Sequence, residues 1–373
     1  MNEDTCCLGN LQISRYQPVY RQISDRVREL ILSGELKAGQ KLPSTQKLAA
    51  TLGSDPATVH SAMRPLVKEG LIFRHPRRGT FVRERQEVLT HVGIYMGGSF
   101  RDATAYQRSL FGALEDLLRK ENLSFKVFVD PRPVEEQMDA LPELTKSIQQ
   151  REIQAILGVK MDRRSFQWLR RLPVTSGFHT SGKEPGLVGF DLGQFTRLAL
   201  EQLRDQGCRS VGVIAPFESE REPLFGGGQL CEDFLFNFTD ISRDLGLTIH
   251  NEWFRLPTQP VNGTAPSQLF GYEQFKALWK LPERPDGLVV YPDSVVVGAI
   301  LAMVELGVSV PRELRVVFHR NKLVDVICPL PATWIQSDET LVAAALLDQV
   351  RKQLRGELAP AFKSPFIPSV DFL

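Results

Sequence analysis

The clearest chemistry in this chain is cationic. In the stretch "SDPATVHSAMRPLVKEG", Ser54 to Gly70, the residues His60, Arg64 and Lys68 recur at helical spacing, and no acid joins them on that face. Ala57 and Ser61 share the face, while Val59, Ala62, Met63, Leu66 and Val67 fall opposite. A few residues on, Arg77 and Arg78 stand in "RHPRRGT". Cations and histidine on one surface bind phosphate oxygens and base edges, and such a set does not by itself break bonds. Constellations that do break bonds are missing from the sequence. The six histidines (His60, His75, His91, His179, His250, His319) show no metal-ligand spacing. The five cysteines (Cys6, Cys7, Cys208, Cys231, Cys328) are scattered and odd in number, as free thiols of a reducing compartment are. Gly226-Gly227-Gly228 has neither the preceding strand nor the following Gly-Lys-Ser/Thr of a phosphate loop. There is no Gly-x-Ser-x-Gly. The expectation is a protein that is not an enzyme and needs no cofactor or metal.

Charge is unevenly distributed along the 373 residues, whose net charge is +1. Residues 11–85 carry 14 Lys and Arg against 6 Asp and Glu, a net +8, and residues from Gln86 onward carry a net −5. A basic head on a mildly acidic body is the layout expected when one end meets a polyanion. No apolar run approaches the roughly 18 residues of a membrane span. The opening "MNEDTCCLGN" is acidic and lacks an apolar core, so no signal peptide is expected. Both features predict a cytoplasmic protein that does not engage a membrane.

The elements that position the cations follow from local signals. "PVYRQISDRVRELILSGEL" places Ile23, Val27, Leu30 and Ile31 on one helical face, with Gly34 as its stop. "LPSTQKLAATLG" predicts a shorter helix with Ser44 as N-cap, Leu48, Ala49 and Leu52 inside, and Gly53 at its end. In the third helix Asp55 is the N-cap, Pro56 suits the first position and Gly70 follows the end. Pro65 inside it removes a hydrogen bond, so a kink is expected there. "LIFRHPRRGTFVRER" then reads as a hairpin with an exposed basic turn. Three helices and a basic hairpin make a winged helix-turn-helix over residues 11–85.

Here the sequence resembles the N-terminal domain of the GntR family of bacterial transcription regulators. The matching pieces are Pro18-Val19-Tyr20, Ser33-Gly34, Leu42-Pro43-Ser44, Leu48-Ala49, Thr58-Val59, Glu69-Gly70 and Gly79-Thr80-Phe81-Val82, in order and at family spacing. The resemblance implies that the third helix enters the major groove of double-stranded DNA. It implies a DNA surface made of Ser44, Thr45, Gln46, Ala57, Thr58, His60, Ser61 and Arg64, completed by Arg77, Arg78, Gly79 and Thr80 of the wing. The family usually carries arginine at three reading positions, which here hold Gln46, Pro56 and His60. Gln46 suits adenine and His60 suits guanine or phosphate, whereas Pro56 reads nothing. The expected operator therefore differs from the family's commonest type. A protein that has lost DNA binding is the alternative, against which stand the net charge and the arginine pair.

After a polar linker at residues 86–90, residues 91–373 alternate between short apolar strands and amphipathic helices. The strands include "HVGIYM", "SFKVFVD", "QAILGV", "PVTSGF", "RSVGVIAP", "DGLVVYP" and "LRVVFHR". Repeated βαβ units require parallel sheets covered on both faces, and this length fits two sheets. The fold class is α/β: a small winged head followed by two Rossmann-like lobes. The pieces "GALEDLLRKENLSFKVF", "VGFDLGQFTRLALEQLRDQGCRSVGVI", "PDGLVVYPDSVVVGAILAMVELGVSVP" and "ATWIQSDETLVAAALLDQV" make the body resemble the LacI-type effector domain, which is related to periplasmic sugar-binding proteins.

That resemblance implies a ligand cleft between the lobes. Ligands in such sheets sit outside the carboxyl ends of the strands, which selects Ser99, Gln107, Lys160, Phe217, Asp293 and Arg320. Asp293 matches a position that often meets ligand in the family. Phe234 stands where sugar-binding relatives commonly carry an arginine, and Arg320 where they commonly carry an aspartate. An arginine there prefers an anion, so a sugar acid or sugar phosphate is expected ahead of a neutral sugar. Two alternatives stay open: Arg320 pairs with Asp293, or the cleft no longer binds ligand.

The combined expectation is a ligand-controlled repressor acting as a homodimer on a palindromic operator. Two other classes compete with it. An aminotransferase-like body would need a longer chain and another strand order, and a ligand-binding protein with a vestigial head would be expected to carry an export signal.

Overall fold

The computed structural model describes residues 17–369, apart from 33–34, 77, 84–87, 134–135, 138, 162–164, 166–167, 170, 173, 181–183, 217–226, 258–260 and 262. Cys6, Cys7, Gly34, Arg77, Phe217 and Gly226 therefore lie outside the described residues.

The head contains α1 (Val19–Leu32), α2 (Thr45–Thr51) and α3 (Pro56–Lys68), followed by a hairpin of β1 (Ile72–His75) and β2 (Gly79–Val82). Both predicted caps form. Ser44 Oγ accepts from Lys47 N at 3.2 Å, and Asp55 Oδ1 accepts from Thr58 N at 2.8 Å. Each satisfies a backbone donor that a helix start leaves without a partner, which typically stabilises the helix by about 1 kcal/mol. The apolar faces of the helices close on a core that includes Ile23, Val27, Leu30, Leu48, Val59, Ala62 and Leu66. α3 continues through Pro65 to Lys68. Pro65, in its last turn, lacks the N–H of a helical hydrogen bond, and the helix runs on past it.

Where the composition predicts a linker, Val88 to His91 is pinned to the body. One amide oxygen, Gln154 Oε1, accepts from Thr90 N at 2.6 Å and from Thr90 Oγ1 and His91 N at 2.8 Å. Gln154 Nε2 donates back to Val88 O at 2.8 Å.

The first lobe starts with β3 (His91–Gly97), α4 (Ala105–Lys120), β4 (Ser124–Asp130), α5 (Pro142–Gln149), β5 (Ala155–Lys160), β6 (Thr175–Phe178) and β7 (Leu187–Phe190). The chain then crosses to α6 (Leu192–Asp205), β8 (Val211–Ile214), α7 (Gly227–Asp244), β9 (Phe254–Arg255), α8 (Thr264–Trp279), β10 (Gly287–Val290), α9 (Asp293–Glu305), β11 (Arg315–Asn321) and β12 (Thr333–Ser337). It returns through α10 (Glu339–Leu354) and β13 (Phe362–Ser364) and crosses once more to β14 (Ile367–Ser369). The sheets run β13-β7-β6-β5-β3-β4 and β14-β12-β11-β10-β8-β9, with six strands each. All pairs in the two sheets are parallel except β12 with β14. The inner strands β3, β5, β6, β7, β8 and β10 are buried along nearly all their length, which explains their continuous apolar runs in place of alternation.

In the second lobe α8 and α9 cross at very short range. A Cβ at Gly298 would lie 1.8 Å from Gln268 O, and one at Gly271 2.1 Å from Val295 O. Only glycine allows this approach.

Among the described residues no helix is long and apolar enough to cross a membrane, and no group of three metal-ligating side chains occurs.

Candidate DNA-reading surface and interlobe cleft

The outward face of α3 is open. Ala57, His60, Ser61 and Arg64 are exposed, as are Ser44 and Gln46 beside them, while Thr45 and Thr58 are half-buried. Thr58 is partly committed: its hydroxyl donates to Asp55 Oδ2 at 2.5 Å. That bond and the Thr58 N–H hold the Asp55 carboxyl below its usual range. Arg78 and Gly79 are exposed on the hairpin and Thr80 is half-buried. The turn closes through Arg78 N donating to His75 O at 3.1 Å.

Two further cations join this surface. Arg74 on β1 donates from Nη1 to His60 Nε2 at 2.8 Å, linking the wing to the reading helix. Guanidinium has no acceptor atom, so Nε2 is the acceptor and a neutral ring carries its proton on Nδ1. Lys41 pairs with Phe81 at the hairpin edge, and a Cβ on Gly79 would lie 2.9 Å from Lys41 Cε. Motif spacing does not point to Arg74 or Lys41, because each lies outside the third helix and the turn. A cation one strand position from "HPRR" is the available signal for Arg74.

The strand ends of the body place the expected ligand residues unevenly. Ser99 is exposed and caps a short 3-10 turn, accepting from Arg101 N at 3.0 Å. Gln107 forms a capping box with Thr104, so its amide oxygen is already engaged by Thr104 N at 2.9 Å. The Lys160 ammonium lies over Gly98, 3.1 Å from where a Cβ would be. Asp293 is buried at the start of α9 and accepts from Ser294 N at 2.8 Å and from the Asn321 side chain. Burial pushes its carboxyl up, against those hydrogen bonds. Phe234 is 1 % exposed and packs in the core with Phe238, ring centroids 6.0 Å apart. The Arg320 guanidinium lies 5.5 Å from the centre of the Trp334 ring. Side chains alternate along β11, so Arg320 shares a face with Phe318, while His319 and Asn321 face the other way. Asn321, one residue on, is the β11 side chain that bonds Asp293.

What the strand ends do bring together is a series of rings. Tyr106, Phe178, Phe190, Phe366, Phe195, Tyr291 and His319 form a continuous run, with successive centroids 4.7 to 5.2 Å apart. It starts at the carboxyl ends of the first sheet, passes two interlobe crossings, and ends at β10 and β11 of the second. Polar groups are buried among these rings. His319 Nε2 lies 3.3 Å from Ser337 Oγ, which donates to Asn321 Oδ1 at 2.6 Å. Glu339 accepts from Ser109 Oγ at 2.8 Å. His319 Nδ1 and the Tyr106 hydroxyl are buried without a hydrogen-bond partner. Burial pushes the imidazole of His319 down to about 3 and raises the carboxyl of Glu339 and the hydroxyl of Tyr106. Each shift favours the neutral form. By spacing alone these rings are indistinguishable from ordinary core. Their signal is positional: "TSGF", "LVGF" and "LVVYP" each end a strand on an aromatic residue.

Comparisons with known proteins agree with this architecture. Residues 19–82 match the family described as "Bacterial regulatory proteins, gntR family", and residues 200–369 match the "Periplasmic binding protein-like domain". The chain thus joins a GntR-type helix-turn-helix domain to a LacI-like, two-lobed α/β body. Among curated proteins, the Escherichia coli (strain K12) mannosyl-D-glycerate transport/metabolism system repressor MngR is 41 % identical over 71 residues, covering 19 % of this chain and 30 % of that protein. The Bacillus subtilis (strain 168) HTH-type transcriptional repressor YtrA is 42 % identical over 67 residues, covering 18 % of this chain and 52 % of that protein. The matched region therefore spans about a third to a half of these relatives. Among solved structures, a LacI transcriptional regulator from Rhodococcus species superposes with a TM-score of 0.57 at 18 % identity, covering 74 % of this chain and 96 % of that one. The lac repressor dimer bound to operator and the anti-inducer ONPF superposes with a TM-score of 0.58 at 15 % identity, covering 76 % and 93 %. At these identities the likeness is one of fold.

Proposed function

We propose that this protein is a DNA-binding transcription regulator, a cytoplasmic repressor in which residues 11–85 bind a palindromic operator as part of a homodimer, residues 86–90 connect, and residues 91–373 sense a small molecule between the lobes. The observation that carries this reading is the exposed face of α3, where Ser61 and Arg64 stand beside His60 and His60 bonds Arg74 from the wing. Exposed cations along a capped helix and hairpin provide phosphate contacts, which supply most of the affinity for DNA. Footprinting on the DNA upstream of its own coding region tests it. Log affinity falls with log salt by about 0.9 for each phosphate contacted. An affinity independent of salt removes the argument.

For the cleft, the buried set of Asp293, Asn321, His319 and Tyr106 favours a ligand that is uncharged and carries hydroxyls or a ring. Arg320 supports an anion less well, since its guanidinium stacks on Trp334 on the far side of β11. A second reading has its own observation: the rings already touch, which supports a cleft that binds nothing and lobes held shut by their own side chains. A thermal-shift screen over neutral sugars, sugar acids, sugar phosphates and nucleobases separates the two. A ligand at 100 times its Kd adds about 2.7 kcal/mol.

A further inference from the structure

The first lobe grips the reading helix by its tail. Gln149, the last residue of α5, donates from Nε2 to Lys68 O at 3.2 Å. That carbonyl is in the last turn of α3, where no intrahelical partner exists. Beside this contact, head and lobe enclose a cavity of about 520 Å³. Its head wall includes Tyr20, Asp25, Arg28 and Glu69, and its lobe wall Asp139, Trp168 and Arg171. In the head wall, Arg28 donates to the two oxygens of Glu69 at 2.9 and 2.8 Å and also pairs with Asp25. Burial raises the Glu69 carboxyl; the bonds and charge of Arg28 and the charge of Arg171 from the lobe act against it.

The lobe wall is hydrogen-bonded to the sheet behind it. Asp130, fully buried at the end of β4, holds Arg132 through two bonds at 2.8 and 2.6 Å. Arg132 also donates to Asp139 O at 2.9 Å. Trp168 Nε1 donates to Gln137 O at 3.0 Å, and its ring meets Tyr95 of β3 edge-on at 5.3 Å. These bonds tie the wall to the carboxyl ends of β3 and β4, beside Ser99. Between the walls there is no common apolar core: the buried apolar residues of the head cluster apart from those around Trp168.

We propose that this lobe face is a docking seat for the head. It holds α3 by its Lys68 carbonyl through Gln149 and faces Glu69 with the charge of Arg171. The exposed N-terminal half of α3 stays free to read DNA while its orientation to the body is set. A polar seam around a cavity releases the head far more readily than a packed apolar one. Because its contacts are polar and charged and border a cavity, salt weakens them. The seat thereby lies between the strand ends and the third helix: Asp130 and Arg132 anchor its wall at the end of β4, and Gln149 bonds Lys68 O of α3.

Small-angle X-ray scattering on the full chain tests this without DNA, so its outcome is independent of the DNA-reading proposal. Release of the head raises the radius of gyration. Arg171→Glu places a carboxylate opposite Glu69, and the radius should shift upward while the circular-dichroism melting midpoint stays put. Arg171→Lys keeps the charge and should retain the wild-type radius. Gln149→Ala, and the wild type moved to about 0.5 M salt, should shift in the same direction as Arg171→Glu. An unchanged radius in folded Arg171→Glu overturns the seat. If that variant does not fold, Gln149→Ala and the salt series decide: a radius unchanged in both overturns it equally.

Discussion

The Nε2 of His60 accepts a hydrogen bond from Arg74 at 2.8 Å, joining the reading helix to the wing strand. The pair turns two separate polar residues into one surface. It also fixes the imidazole, because Arg74 occupies one ring nitrogen and leaves the other open.

His60→Ala and Arg74→Ala should therefore differ. Loss of a base contact changes preference at one operator position by about 1–3 kcal/mol, whereas loss of a phosphate contact weakens all sequences alike. Arg74→Ala is expected to weaken binding to specific and random DNA and to loosen the preference set by His60. His60→Ala is expected to change the preference alone. Competition binding against an operator library measures both, and equal weakening of all sequences by His60→Ala assigns it to phosphate.

Tyr106→Phe removes a buried hydroxyl that has no hydrogen-bond partner. An unsatisfied buried group costs about 1–3 kcal/mol, so the variant should melt at or above the wild-type temperature. If that hydroxyl serves a ligand, any ligand-induced rise in melting temperature should shrink in the same variant. A drop in the melting temperature of the free protein would show that the hydroxyl has a structural partner.

His319 gives the protein a predictable acid sensitivity. Its folded value is pushed to about 3 by burial, below the ordinary 6.5. Between those values the unfolded chain takes up a proton that the folded chain refuses, so stability falls as pH falls. The limiting slope is about 1.4 kcal/mol per pH unit, and the loss between pH 6.5 and 5 is about 1.6 kcal/mol. Denaturant midpoints across that range should be flatter in His319→Gln. An equal slope in both proteins refutes the assignment.

Gly298→Ala introduces a methyl group where Gln268 O leaves no space. Backbone cannot yield as a side-chain tip can, so α8 and α9 must separate. Overpacking of this kind costs about 1–3 kcal/mol or more. Chemical denaturation should show the loss while DNA affinity of the folded fraction stays unchanged. A neutral result would mean that the helices part freely.

The local signals of the head are legible in the order of its residues. Ser44 and Asp55 cap the helices that their spacing predicts, because a cap involves residues three apart in sequence. Alternating strands and helices in the body likewise require two parallel sheets. The linker is legible only as polar composition; that Gln154 pins it is not, since the partner lies some sixty residues away. Arg320 shows the limit most clearly. Its place at a strand end is readable, but a shift of one residue along a strand reverses the facing, and the side chain lies over Trp334.

The division into a basic winged head and a two-lobed body is written in the residue order, along with the caps, the exposed face of α3 and the absence of catalytic motifs. Each of these depends on residues close together in the chain or on overall charge. Which side chains meet between the lobes, and where the head rests, is fixed at the level of packing. The ring series draws on residues from Tyr106 to Phe366, and the seat pairs Lys68 with Gln149. Such contacts depend on how sheets and helices pack in three dimensions, and no spacing within a single element encodes them.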